Sequence, residues 1–178
     1  MRVLLHYSKI VIEDFNSKEK VYMYLKSHHV AALSTVSREA EPHSALIYIF
    51  ADPDLSFYFF TKANTKKAHD IVDNKKAALT VFDPILPRTI QAEGTIQKVN
   101  DTALYDKLFE FFMQQASKEE EGLYWPPPLS KVYVEGELEL YKFEPTWLRF
   151  ADFSESKTFL HVNLGNNYFQ VIPPENKS

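Results

Sequence analysis

Two adjacent lysines, Lys66 and Lys67, follow Thr65 in the run Phe60-Thr61-Lys62-Ala63-Asn64-Thr65-Lys66-Lys67, and their spacing places them in the first turn of a helix that Thr65 caps. Cations are unfavourable there by about 0.3–1 kcal/mol each, because a helix start is its positive pole. A phosphate offsets that cost: the N–H groups of a helix start, a Thr hydroxyl and two ammonium groups together form an anion site. The alternative is that both amines are simply solvated. One turn on, His69 approaches the same site or is a surface residue beside Asp70.

Other chemistry-bearing groups point to ordinary roles. His28 and His29 sit where a helix ends, a place the dipole favours for histidine, and no third metal ligand follows at a fixed spacing, so no metal site is expected. Glu135, Glu137 and Glu139 alternate as the solvated side of a half-buried strand does. His43 and Ser44 are neighbours whose side chains point to opposite faces of a strand, and no GxSxG turn is present, which disfavours hydrolysis by a Ser–His–Asp triad. The chain has no Cys, which excludes disulfides, zinc–thiolate sites, iron–sulfur clusters and cysteine nucleophiles.

At 178 residues the chain has the length of one domain, with a core over about 17–150 and a C-terminal extension over 151–178. Hydrophobic residues at 45% against charged residues at 25% can bury a real core, and 14 Phe with 10 Tyr make that core aromatic. A net charge of −4 gives no electrostatic footprint for nucleic acid. The apolar run Val3 to Leu5 is too short for a signal-peptide core, and no stretch approaches a membrane helix, so a soluble, cytoplasmic protein is expected.

The elements that must hold the lysine turn can be read from period. The first segment, VLLHYSKIVI, suits an extra strand. After Asn16 and Ser17, Val21, Tyr22, Tyr24 and Leu25 recur at helical spacing. Three strands then read as an antiparallel meander: VAALSTVS, HSALIYIF and LSFYFFT. Both faces of the second and third are apolar, so they must be covered twice, inside a barrel and outside by a helix or another subunit. The helix TKKAHDIVDN precedes strands KAALTVFD and RTIQAEGTIQKV, and Gly94 inside the latter predicts a bulge. Asp101 caps a helix with Leu104, Leu108, Phe111 and Phe112 on one stripe. An acidic, proline-rich loop, SKEEEGLYWPPPLS, leads to the strand VYVEGELELYKF, a turn at Pro145, and TWLRFADF, where Trp147 and Arg149 share a face.

The order of PHSALIYIF, a strand ending YFFT, the Thr65-Lys66-Lys67 turn, ALTVF and RTIQAEG resembles the pyridoxamine 5′-phosphate oxidase-like, FMN-binding split-barrel family, over roughly Val21 to Val99. The resemblance implies a mainly β (α+β) fold, an antiparallel split β-barrel with flanking helices, assembled as a homodimer with FMN in a cleft between the subunits. By resemblance Thr61, Thr65, Lys66 and Lys67, beside Phe60, hold the FMN phosphate, and the strand carrying Ser44, Ala45, Leu46 and Ile47 lines the isoalloxazine. His43 stands where the family's oxidases carry Arg, Thr89 where they carry a Gln and Gln91 where they carry an Arg. Trp147 and Arg149 reach the partner's flavin or serve ordinary core and surface roles. The oxidases' C-terminal substrate signature has no counterpart in TFLHVNLGNNYFQVI, so the vitamin substrate does not carry over. The expected function is that of an FMN-dependent oxidoreductase acting on an unidentified small molecule. The alternatives are a haem-binding or haem-degrading protein on the same barrel and a non-catalytic flavin-binding module.

Overall fold

The structure is a computed structural model that describes residues 15–83, 85, 87–118, 138–153, 158–163 and 168–172, with side chains described over 18–83, 85, 87–114 and 138–153. The expected N-terminal strand, Glu135, Glu137 and the proline-rich loop beyond Lys118 lie outside these residues, and the loop's first two residues instead end the third helix. Three helices, α1 (Phe15–Ser27), α2 (Lys66–Asp73) and α3 (Thr102–Lys118), accompany nine strands among the described residues. The strands are β1 (Val30–Val36), β2 (Pro42–Tyr48), β3 (Phe50–Ala51), β4 (Phe57–Lys62), β5 (Lys76–Asp83), β6 (Arg88–Val99), β7 (Leu138–Asp152), β8 (Thr158–Asn163) and β9 (Tyr168–Ile172).

The strands form one antiparallel sheet in the order β2-β1-β5-β6-β7-β4-β3, with the β8–β9 hairpin added to β7. β2 and β3 stand at opposite ends of that order, yet only Ile49 separates them in the chain. The sheet therefore has to curl until its two edges meet, which gives a half-barrel. The expected three-strand meander is interrupted here. β1 and β2 form one hairpin and β3 and β4 another, and β2 does not pair with β4. At this corner the Ile49 amide donates to the His29 carbonyl at 2.7 Å, and the fully buried Ile49 side chain anchors the change of direction.

Apolar alternation then fills both sides of the wall. Leu33, Ile47, Phe57, Phe59, Val81, Ile90 and Phe143 face a shared interior, closed by Val21 and Leu25 of α1. Tyr48, Phe50, Phe60 and Leu140 face outward and are covered by Phe112 of α3, with Leu104 and Leu108 packed alongside. The Asp101 carboxylate caps α3 by accepting from the Leu104 amide at 3.0 Å, but Phe111, expected on the packed stripe, is 40% exposed.

The register of β6 against β7 shifts between Glu93 and Gly94, as the lone glycine in the strand implied. A Cβ at Gly94 would stand 2.2 Å from the Glu144 carbonyl oxygen and 2.7 Å from the Pro145 Cα, so close approach of the two backbones requires glycine. Pro145 does not end the strand: it lies opposite Gly94, and β7 runs on to Asp152 as one bent strand.

Candidate functional site

α2 lies against β1 and β2 at the open seam of the barrel. Thr65 is its N-cap, with extended backbone, and its hydroxyl is saturated. The Thr65 Oγ1 donates to the Lys62 carbonyl at 3.0 Å and accepts from the Ala68 amide at 3.4 Å. Because its one proton is spent on Lys62, the 3.2 Å contact with Thr61 Oγ1 has Thr61 as donor. Both hydroxyls thus fix the turn, and the Lys66 and Lys67 amides, ahead of the first intrahelical bonds, point out of the helix start.

Register places Thr35 of β1 opposite His43 of β2. Asp70, one turn along α2 and 5% exposed, inserts its carboxylate beneath them. A single oxygen, Asp70 Oδ2, accepts from Thr35 Oγ1 at 2.6 Å and from His43 Nδ1 at 2.8 Å. Burial pushes the Asp70 carboxyl up, but the Thr35 and His43 hydrogen bonds and the charges of His43 and Lys66 outweigh it and hold the group below the usual carboxylate range. An ionised carboxylate only accepts, so Nδ1 carries the hydrogen and Nε2 is the ring nitrogen left, 4.0 Å from the exposed Glu41 carboxylate.

These groups border a cleft of about 370 Å³, lined by the expected His43, Ser44, Ala45, Thr65, Lys66 and Lys67 together with Thr35 and Pro42. Lys67 is half-buried, and burial alone pushes its ammonium below the usual lysine range; among the described residues no carboxylate pairs with it. A desolvated cation, a helix start and an imidazole around one cleft are a donor set suited to a phosphate. The cleft thus fits a phosphorylated cofactor at its anionic end.

The other expected residues fall elsewhere. Ile47 is buried in the barrel interior and Phe60 beneath α3. Leu46 is 57% exposed on the outer face of β2. Gln91 pairs with Thr80, Thr80 with Ala32 and Ala32 with Leu46, so β1 and β5 separate Gln91 and its strand neighbour Thr89 from β2 on that outer face. Trp147 and Arg149 share this face, opposite Glu93 and Gln91. His69 is exposed.

Thr35 and Asp70 were not singled out from the sequence. The available signal was an acidic residue on the apolar side of a short helix, next to Ile71. His28 proves structural: its Nδ1 lies 2.7 Å from the Tyr24 carbonyl and its Nε2 3.0 Å from Asp83, which ties α1 to β5. Glu139 is engaged by Lys98 and by the Tyr141 hydroxyl at 2.6 Å. Among the described residues no three His, Asp or Glu side chains converge as a metal site, and no helix is long and apolar enough to cross a membrane.

Comparison with known proteins places this architecture. The pyridoxine/pyridoxamine 5′-phosphate oxidase 1 of Hydrogenovibrio crunogenus is 40% identical over 68 residues, 38% of this chain and 32% of that one. The chain spans less than half the length of that relative and of curated relatives from Arabidopsis thaliana, Pseudomonas paraeruginosa and Bordetella pertussis. Among solved structures, PhzG from Burkholderia lata, in complex with tetrahydrophenazine-1-carboxylic acid, superposes with a TM-score of 0.63 at 13% identity, covering 90% of this chain and 92% of that one. A pyridoxamine 5′-phosphate oxidase-related, FMN binding protein from Nostoc punctiforme gives 0.58 at 14% identity, covering 90% and 97%. At such identities the likeness establishes the fold, an antiparallel split barrel. The profile of the family described as pyridoxamine 5′-phosphate oxidase matches residues 17–152, from α1 through the end of β7, and the chain belongs to that family.

Proposed function

We infer that the protein binds FMN in the cleft between α2 and β2 and works as a flavin-dependent oxidoreductase on a small molecule. The observation that carries this reading is Lys67, a half-buried ammonium with no carboxylate partner among the described residues, beside a capped helix start. A phosphate monoester supplies the missing counter-charge. Lys66, Lys67 and the first amides of α2 hold the phosphate, while Thr61 and Thr65 shape the turn that presents them. β2 pairs with β1 along one edge only, which leaves backbone groups from Ser44 to Ile47 to line a planar ring system. When bound, the flavin supplies two-electron redox chemistry, and the protein supplies orientation and electrostatics.

The assembly proposed is a homodimer with the cofactor at its interface. The outer face of β2, β1 and β5 presents Leu46, Ala32, Ser34, Val30, Thr80 and Phe82, with Leu46 57% and Phe82 61% exposed and no charge among these six. Contiguous uncharged surface of this kind is what a second copy covers. Thr89, Gln91, Trp147 and Arg149 lie on the same face of the sheet, so across such an interface they approach the partner's ring rather than their own chain's phosphate turn.

The absorption spectrum of purified protein, followed by titration with FMN, tests the reading. Paired flavin bands and stoichiometric binding are expected. A single intense Soret band would replace it with the haem alternative, and failure to bind FMN would remove it. Bleaching of the flavin by NAD(P)H separates an oxidoreductase from a module that holds flavin without turnover.

A further inference from the structure

Three nitrogen-bearing side chains border the cleft, Lys66, Lys67 and His43, beside the Ser44 hydroxyl. Among these, histidine is the side chain whose charge ordinarily changes within the neutral range. The structure treats His43 differently from a surface histidine. Its Nδ1 is held by a carboxylate from another element, and that carboxylate is itself fixed by Thr35 from a third. Asp70 can accept and not donate, so the ring has one orientation and one tautomer in its neutral form, with the second nitrogen a bare acceptor.

We propose that Asp70 is a positioning residue that presents His43 Nε2 to the bound phosphate as a proton-dependent third donor, so that the cleft weakens its hold on a phosphorylated ligand as the imidazolium loses its proton. Protonated, Nε2–H donates to a phosphate oxygen and adds a charge to those of the lysines. Neutral, with Nδ1–H still committed to Asp70, the lone pair of Nε2 faces the phosphate and the interaction turns repulsive. The groups that face His43 are Asp70 and Lys66 from α2, Thr35 from β1, Glu41 from the β1–β2 turn and, across the cleft, Lys67. A phosphate seated against His43 meets the protonated ring with an opposite charge, so ligand and proton bind cooperatively.

This inference rests on the flavin-phosphate reading, and the experiment separates the two. FMN affinity is measured by fluorescence quenching from about pH 6.5 to about pH 8.5, above the second ionisation of a phosphate monoester, for the intact protein and for His43→Arg, His43→Gln and Asp70→Asn. Riboflavin, which lacks the phosphate, is titrated alongside. FMN binding by the intact protein is expected to weaken about tenfold across that range, riboflavin binding to stay level, and His43→Arg to hold FMN tightly at both ends. His43→Gln is expected to start weak and stay level, and Asp70→Asn to weaken FMN even at the acid end. The same pH profile in the intact protein, His43→Arg and His43→Gln would overturn the proposal while leaving FMN binding in place. Absence of FMN binding at every pH would overturn the flavin reading itself, and this proposal with it.

Discussion

His43 Nδ1 and Thr35 Oγ1 converge on one oxygen of Asp70, at 2.8 and 2.6 Å, so a buried carboxylate on α2 fastens that helix to the edge hairpin β1–β2. Asp70 sits one turn after Lys66 on the same helix, and the fastening that seats α2 on the sheet also sets the distance from the lysine turn to the strand opposite. Structure and site share one contact here.

That contact makes stability depend on acidity. The folded state holds the Asp70 carboxyl below its unfolded value of 3.8, so its contribution is fully present above that value and is lost as pH falls through the folded one. Asp70→Asn is expected to cost about 1–3 kcal/mol at neutral pH, from a weakened Thr35 and His43 pairing. The gap between the variant and the intact protein should close in acid. Urea denaturation at neutral pH and along a descending series in acid below 3.8 measures both; a gap that stays equal throughout would contradict it.

Lys67 has the opposite sign. Its folded-state pKa is lowered by burial, so the ligand-free protein gains stability as pH rises through that pKa toward the unfolded value of 10.5. Lys67→Met, which keeps the stem and removes the charge, should raise the melting temperature of the ligand-free protein at neutral pH. It should also weaken FMN by about 1.5–3 kcal/mol, the worth of a charged hydrogen bond. Lys66→Ala is expected to weaken FMN without the gain in stability, since Lys66 is exposed. Scanning calorimetry with and without FMN checks the pair, and a melting temperature that falls in both states would argue for a structural Lys67.

At the bulge, Gly94→Ala sets a methyl group 2.2 Å from a backbone oxygen that no rotamer change can move. The β6–β7 backbones have to separate, at a cost of about 1–3 kcal/mol or more. The loss should appear as a lower denaturation midpoint. An unchanged midpoint would mean that β6 and β7 do not approach as closely at Gly94 as 2.2 Å.

On the outer face, Leu46→Glu with Phe82→Glu adds charge where both side chains are already exposed, so the fold should survive. Sedimentation velocity should report a dimer for the intact protein and a monomer for this variant, and FMN affinity should fall with it. A dimer that persists would move the interface elsewhere.

Local pattern was enough for much of the chain. The limits of β5 and β6, the Thr65 and Asp101 caps, the bulge at Gly94 and the double covering of β4 follow from period-2 alternation, cap chemistry and a lone glycine, each decided within a few residues. The lysine turn was legible for the same reason, since Thr65, Lys66 and Lys67 are consecutive. Tertiary structure alone decided the rest. That β2 and β3 part at Ile49, so that β2 does not pair with β4, depends on which strands lie beyond each of them, which no window around Ile49 contains. Thr35, His43 and Asp70 are brought together by the β1–β2 register and the seating of α2, across 35 residues of chain. Alternation within a strand shows that a residue points inward, but only the packed barrel determines which charge it meets there.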